Sequence, residues 1–216
     1  MRAFKRFSRA GFTLVELMIV VAIIGVLAAL AIYGVRRYLQ SAKTSEAKNT
    51  LGAMGRGAVG AYEKESTVQE QLGEGNLSAT FQHDLCAGSL NTVPSSAAPP
   101  VGKKYQPNGA FGSDWDTGSA ISGWKCLKMT VTNPIYFRYG YQGARVDGNG
   151  PAGAVPLASE GQTMTAPTQG NFLAFANGDL DGDGTFSAFG LRGQAGTGGS
   201  KIIKLATEIQ IFDEFE

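Results

Sequence analysis

An apolar run close to the N-terminus limits what this chain can become. Residues 12–35 read FTLVELMIVVAIIGVLAALAIYGV, and no side chain from Leu17 to Val35 is charged. At about 1.5 Å per helical residue, such a run crosses a hydrocarbon layer of roughly 30 Å with some tilt. Arg2, Lys5, Arg6 and Arg9 precede it without an acidic neighbour, and one ionisable group, Glu16, lies inside it. A secretory signal peptide accounts for the basic start. Ala29-Leu30-Ala31 fits its cleavage site and would release a soluble module beginning at Ile32. The apolar part of such a peptide is normally about 7–15 residues, shorter than this one. A plain membrane anchor accounts for the length but leaves Glu16 unexplained. A carboxylate in the bilayer costs on the order of 2.5–3.5 kcal/mol even on the lenient insertion scale.

The remainder is a different kind of sequence. Arg36, Arg37, Lys43 and Lys48 mark the exit from the apolar zone. Ala47, Leu51, Met54, Ala58 and Tyr62 then recur at the 3–4 spacing of one buried helix face. Gly52, Gly55, Gly57 and Gly60 interrupt that helix, each costing roughly 0.5–1 kcal/mol against Ala. They permit either close packing or a soft, bent helix. Beyond residue 65 the chain is polar and rich in glycine. Segment 88–110, with Pro94, Pro99, Pro100 and Pro107, reads as irregular. Segments 124–132 and 135–141 alternate like strands about Asn133-Pro134 and predict a hairpin. Further strands are expected at 171–176, 185–191 and 201–211, with a loop over 142–170. A helix followed by antiparallel strands is an α+β pattern.

Composition excludes several functions. The net charge of +1 supplies no bulk basic field for nucleic acid. One histidine, His83, and two cysteines rule out zinc fingers and Cys-ligated clusters, and His83 reads as a surface or packing residue. No G-x-S-x-G or P-loop is present, so no enzymatic activity is expected. The aromatics of 111–141 read as sheet core in preference to a stacking platform for bases.

Gly11-Phe12-Thr13-Leu14-Val15-Glu16, with the basic leader before it and LMIVVAIIGVLAALAI after it, resembles the cleavage motif of type IV prepilins. AKTSEAKNTLGAM is similar to pilins as well. The resemblance implies that a prepilin peptidase cuts between Gly11 and Phe12 and methylates the new amine of Phe12. It implies an α+β fold in which a long N-terminal helix packs on an antiparallel sheet. The organisation expected is a leader (1–11), a membrane-spanning and filament-core helix (12–35), its amphipathic continuation (36–65) and a globular sheet domain (66–216). Implied partners are further copies of the chain, related pilins, the peptidase, an inner-membrane assembly platform and the membrane. The leader would lie in the cytoplasm, and the product would be a surface pilus or a periplasmic pseudopilus of type II secretion. Glu16 lies on the helix face of Phe12, four residues on. Its family counterpart pairs with a neighbouring subunit's terminal amine, which sets register; the alternative is a carboxylate reaching for the headgroups. Many pilins carry a proline where this chain has Tyr33, so an obligatory kink is not expected. Loss of the leader would leave 15 basic and 18 acidic side chains, changing +1 to −3.

Two further features complete the expectation. Export to an oxidising compartment predicts a Cys86–Cys126 disulfide; the alternative is two free, buried cysteines. Many pilins bound a C-terminal loop with their disulfide, whereas here 90 residues follow Cys126. Asp179, Asp181 and Asp183 alternate before Gly184, matching the first half of an EF-hand calcium loop. Thr185 and Ser187 are candidate further oxygen donors for Ca²⁺. The twelfth position is Gly190 in place of Glu, so a closing carboxylate would come from Glu160, Glu208 or Asp213. The alternative is a metal-free Asp/Gly-rich hairpin connection. Some secretion pseudopilins bind calcium in this part of the fold.

Overall fold

The computed structural model describes residues 11–64, 83–89, 91–95, 98–144, 155–156, 163–196 and 202–215. The leader up to Ala10 and Glu160 lie outside them. One helix, α1, spans Leu14–Tyr62. No proline interrupts it, so no backbone donor is lost along its 49 residues. The chain divides into two compact units, Met1–Ser41 and Ala42–Glu216.

In the first unit, the large apolar side chains of the helix are exposed, among them Leu17, Ile24, Leu30 and Leu39. A helix that is apolar all round and uncovered among the described residues suits lipid or the company of other helices.

The second unit has its own core. Ala47, Leu51, Met54, Ala58 and Tyr62 are all buried, as their spacing predicts. They meet the sheet face carrying Phe172, Ala174 and Ala176. That sheet is antiparallel, built from β1 (Arg138–Gly143), β4 (Asn171–Gly178), β5 (Ser187–Ala195), β6 (Ile203–Leu205) and β7 (Gln210–Phe212). Its order is β1-β4-β5-β6, with β7 also on β5. Phe137 and Phe189 meet edge to face, centroids 5.6 Å apart. Glycine serves this packing: a Cβ on Gly140 would lie 2.1 Å from the Phe175 ring directly opposite it.

Several expected elements differ. Segment 124–132 is not a strand, and no hairpin about Asn133-Pro134 forms. Residues Gly123–Leu127 make a short helix, α2. Trp124 and Leu127, three apart, both point into the core, a spacing that a strand cannot satisfy. Trp124 packs against Trp115 of a 3₁₀ turn (Asp114–Asp116), centroids 4.6 Å apart. Ile135 instead bridges Tyr105, and β1 starts at Arg138, three residues later than expected. The loop over 142–170 contains a small ribbon of β2 (Val155–Pro156) and β3 (Thr163–Met164). The terminal segment is one edge strand broken in two. Gly193 faces Leu205 and Ala188 faces Phe212, so the register slips by two residues between β6 and β7. The extra residues lie in the bend at 206–209, as in a bulge. Segment 88–110 is irregular, as its prolines imply, and is tied down by isolated bridges from Val93, Val101 and Tyr105.

Candidate functional site

The first site is the start of α1. Thr13 is its N-cap, since Leu17 N–H donates to the Thr13 carbonyl (3.2 Å). The Glu16 carboxylate accepts from Thr13 N–H at 2.9 Å and from the Thr13 hydroxyl at 2.8 Å. Glu16 N–H in turn donates to the Thr13 hydroxyl oxygen at 3.3 Å. This reciprocal arrangement is a capping box, which satisfies donors that the first turn would otherwise leave open. Such donors matter most where water is scarce. The T-x-x-E signature was legible in the sequence, yet the sequence reading assigned no role to Thr13. Phe12 is 89% exposed beside it and Gly11 is also exposed.

The second site is the β4–β5 connection. Asp179, Asp181 and Asp183 present carboxylate oxygens within 4.8 Å of one another. Asp179 is buried, and its two oxygens accept from Gly182 N–H (2.6 Å) and Gly184 N–H (3.2 Å). Gly182 (φ +86°) and Gly184 (φ +92°) supply left-handed turns there. Thr185 N–H donates to Asp183 at 2.7 Å, which keeps Thr185 beside the cluster. Ser187 sits in the closing pair of the hairpin, and its hydroxyl donates to the Gly178 carbonyl (3.0 Å). Gly190 is inside β5, beneath Met164. Neither Glu208 nor Asp213 joins the three aspartates among the described residues.

Cys86 and Cys126 form a disulfide, with Cα atoms 5.8 Å apart, joining the segment after α1 to α2. His83 Nδ1–H donates to the Tyr62 carbonyl (2.9 Å), and its ring lies tilted 5.8 Å from the Tyr62 ring, a packing role. Trp115, Trp124, Phe137, Tyr139 and Tyr141 are buried as sheet core. Glu46 was missed by sequence reasoning. It accepts from Tyr136 N–H at 2.9 Å and from the Tyr139 hydroxyl at 3.2 Å, tying α1 to the segment entering β1. Burial holds its carboxyl above the usual range, against the opposing pull of those two donors and Lys104. Only its placement against Tyr136 distinguishes it from the exposed charges around it.

A capped apolar helix in one unit, and a helix-on-sheet core with a disulfide in the other, define a pilin-like α+β protein. The family model for the prokaryotic N-terminal methylation motif matches residues 6–32. The chain is 30% identical over 205 residues to the type IV major pilin protein PilA of Myxococcus xanthus, covering 87% of this chain and 81% of that protein. It is 48% identical over 88 residues to the fimbrial protein EcpC of Eikenella corrodens, covering 41% and 55% of the two chains. It is 40% identical over 76 residues to the type IV major alpha-pilin of Moraxella bovis, covering 31% and 47%. These two shorter matches span only about half of each relative. No solved structure matches. The chain belongs to the type IV pilin family.

Proposed function

We propose that the chain is a structural subunit of a type IV pilus, cut between Gly11 and Phe12 and assembled through α1. The likeness to a major pilin over 87% of the chain carries this reading, because a methylation motif alone is shared with pseudopilins. The exposed apolar helix supports the mechanism. The precursor rests in the inner membrane, and growth exchanges lipid contacts for packing among helices, with Gly25 allowing close approach. The carboxylate of Glu16 meets the amine of Phe12 on a neighbouring copy, which neutralises two charges that are costly apart in an apolar fibre core.

The capping box gives Glu16 a second role, and the two roles separate experimentally. Glu16→Gln keeps a capping residue but loses the charge, while Glu16→Ala loses both. Both variants should be cleaved, yielding a methylated Phe12 by mass spectrometry, and both should give few fibres by electron microscopy. Normal fibres from Glu16→Gln would refute the charge role. A mature chain beginning at Ile32 would refute the filament reading altogether. Long surface fibres lost on deletion distinguish a pilus from a short periplasmic pseudopilus, for which the 90 residues beyond Cys126 speak.

For the loop, the convergence of three carboxylates on one space supports a divalent cation, which would relieve their repulsion. Asp179, Asp181 and Asp183 would hold it, with Thr185 adjacent. Millimolar calcium should then raise the melting temperature of the wild type and not of Asp181→Asn/Asp183→Asn. An equal response from both would refute the site.

A further inference from the structure

A groove on the second unit carries cations that form no ion pair among the described residues. It encloses about 760 Å³ between α1 and the segment after α2, with Arg56, Lys104 and Lys128 on its walls beside Leu127 and Ile135. All three cations are exposed, and none forms an ion pair among the described residues. Lys64 lies beside Lys128, whose ammonium disfavours the charge on Lys64. The one carboxylate among the lining residues, Glu46, accepts from Tyr136 N–H and the Tyr139 hydroxyl and attracts Lys104, so Arg56 and Lys128 are the two cations left open. The groove therefore suits an acidic partner.

An acidic counterpart is present on the same unit. Asp181 and Asp183 are exposed, and they accept from backbone N–H groups of their own loop. The loop is level with Lys43 on α1, whose ammonium donates to the Leu180 carbonyl at 3.5 Å. Arg56 is thirteen residues further along the helix, a rise of about 20 Å. Arg56 and Lys128, where Gly57 meets Leu127, therefore stand further along α1 than the loop, whereas Lys104 shares the Tyr136 ring with Lys43 and is level with it. A two-fold pair exchanging loop and groove would run antiparallel, against the filament reading. Copies running parallel, each displaced along α1, bring the loop of one against the groove of the next. Such a head-to-tail contact repeats without closing and generates an open helical assembly.

We propose that the end of the groove at Arg56 and Lys128 docks the Asp181–Asp183 loop of a second copy of this chain. The inference rests on the filament reading and specifies one of its lateral contacts. A single divalent cation in the loop still leaves it one charge negative, so it weakens the contact and does not reverse it.

Charge reversal with rescue tests the proposal in cells making the full chain. Arg56→Glu/Lys128→Glu alone, and Asp181→Lys/Asp183→Lys alone, should each lower fibre yield about tenfold or more, since like charges then face each other. Combining the four substitutions should restore yield to near wild type. A combined variant as defective as either parent, or parents with normal yield, overturns the docking. A paired-cysteine variant, Lys128→Cys/Asp181→Cys, guards against misfolding. In wild-type-like fibres under oxidant it should give a ladder of covalent oligomers. Wild-type-like fibres without a ladder overturn the docking and leave the filament reading intact, whereas absence of fibres from the wild-type chain refutes the filament reading itself.

Discussion

Four glycines on α1 have the same intrinsic cost, and their surroundings decide what a methyl group does at each. In a helix interior, Gly→Ala gains about 0.5–1 kcal/mol. At Gly60 a Cβ meets nothing within 4 Å, and at Gly52 it meets only the tip of Arg56 at 3.5 Å. Both variants should realise the full gain. At Gly57 the Cβ would lie 2.7 Å from the Leu127 carbonyl oxygen. That oxygen cannot swing away as a side chain does. It ends α2, next to Cys126, which is bonded to Cys86. Helix and segment must move apart, and overpacking of this kind costs about 1–3 kcal/mol. Gly57→Ala should therefore be less stable than Gly60→Ala by about that amount. In a domain of this size each kcal/mol moves the melting temperature by about 2–4 °C. Gly55 should fall between, because its obstacle is the Leu191 side chain at 2.8 Å, which can turn aside. The assay is thermal unfolding, followed by circular dichroism, of a fragment that begins near Arg36 and retains the second unit. Equal stabilisation by Gly57→Ala and Gly60→Ala would refute the close approach of α1 to Leu127.

The remaining predictions concern the ties between α1 and the sheet. Replacing Cys86 and Cys126 by Ser releases a 40-residue separation, worth about 4 kcal/mol in the chain-entropy model, readable as a lower urea midpoint. Glu46 holds its proton more tightly folded than unfolded, so its contribution to stability declines as pH rises from the ordinary glutamate range through the raised folded value. Melting curves of wild type and Glu46→Gln should accordingly lie closest at acid pH, with the variant gaining relative to wild type as pH rises; the opposite trend would refute the raised value. Met54→Ala, at a fully buried position of α1, should cost about 2–5 kcal/mol by denaturant unfolding.

Long-period features were legible from the chain alone. The apolar run over 12–35, the leader charges and Glu16 pointed to a membrane-compatible helix with a processing motif, and the 3–4 stripe from Ala47 to Tyr62 named the buried face. These signals are local or periodic, and burial of apolar surface enforces them whatever lies opposite. The strands at 171–176 and 185–191 were also legible, as short apolar runs bounded by turn residues and long enough to be buried on both faces.

Segment 124–132 shows where that reasoning stops. WKCLKMTVT alternates as well as a strand does, yet Trp124 takes its place against Trp115, and Cys126 bonds Cys86, only if the segment winds into α2. Those partners are distant in sequence, so no local period announces them. The same holds for Glu46, whose acceptor role depends on Tyr136 and Tyr139, and for the glycines, which are interchangeable until Leu127 and Leu191 are set beside two of them. Sequence by itself determined the apolar helix, its carboxylate and the side of α1 that faces the core, because these follow from hydrophobicity and helical pitch. Tertiary structure decided which charges are satisfied and which stand open. Arg56, Lys104 and Lys128 look like any solvated lysines and arginines until the fold brings three chain segments to one groove, where Glu46 faces Lys104 and, among the described residues, Arg56 and Lys128 form no ion pair.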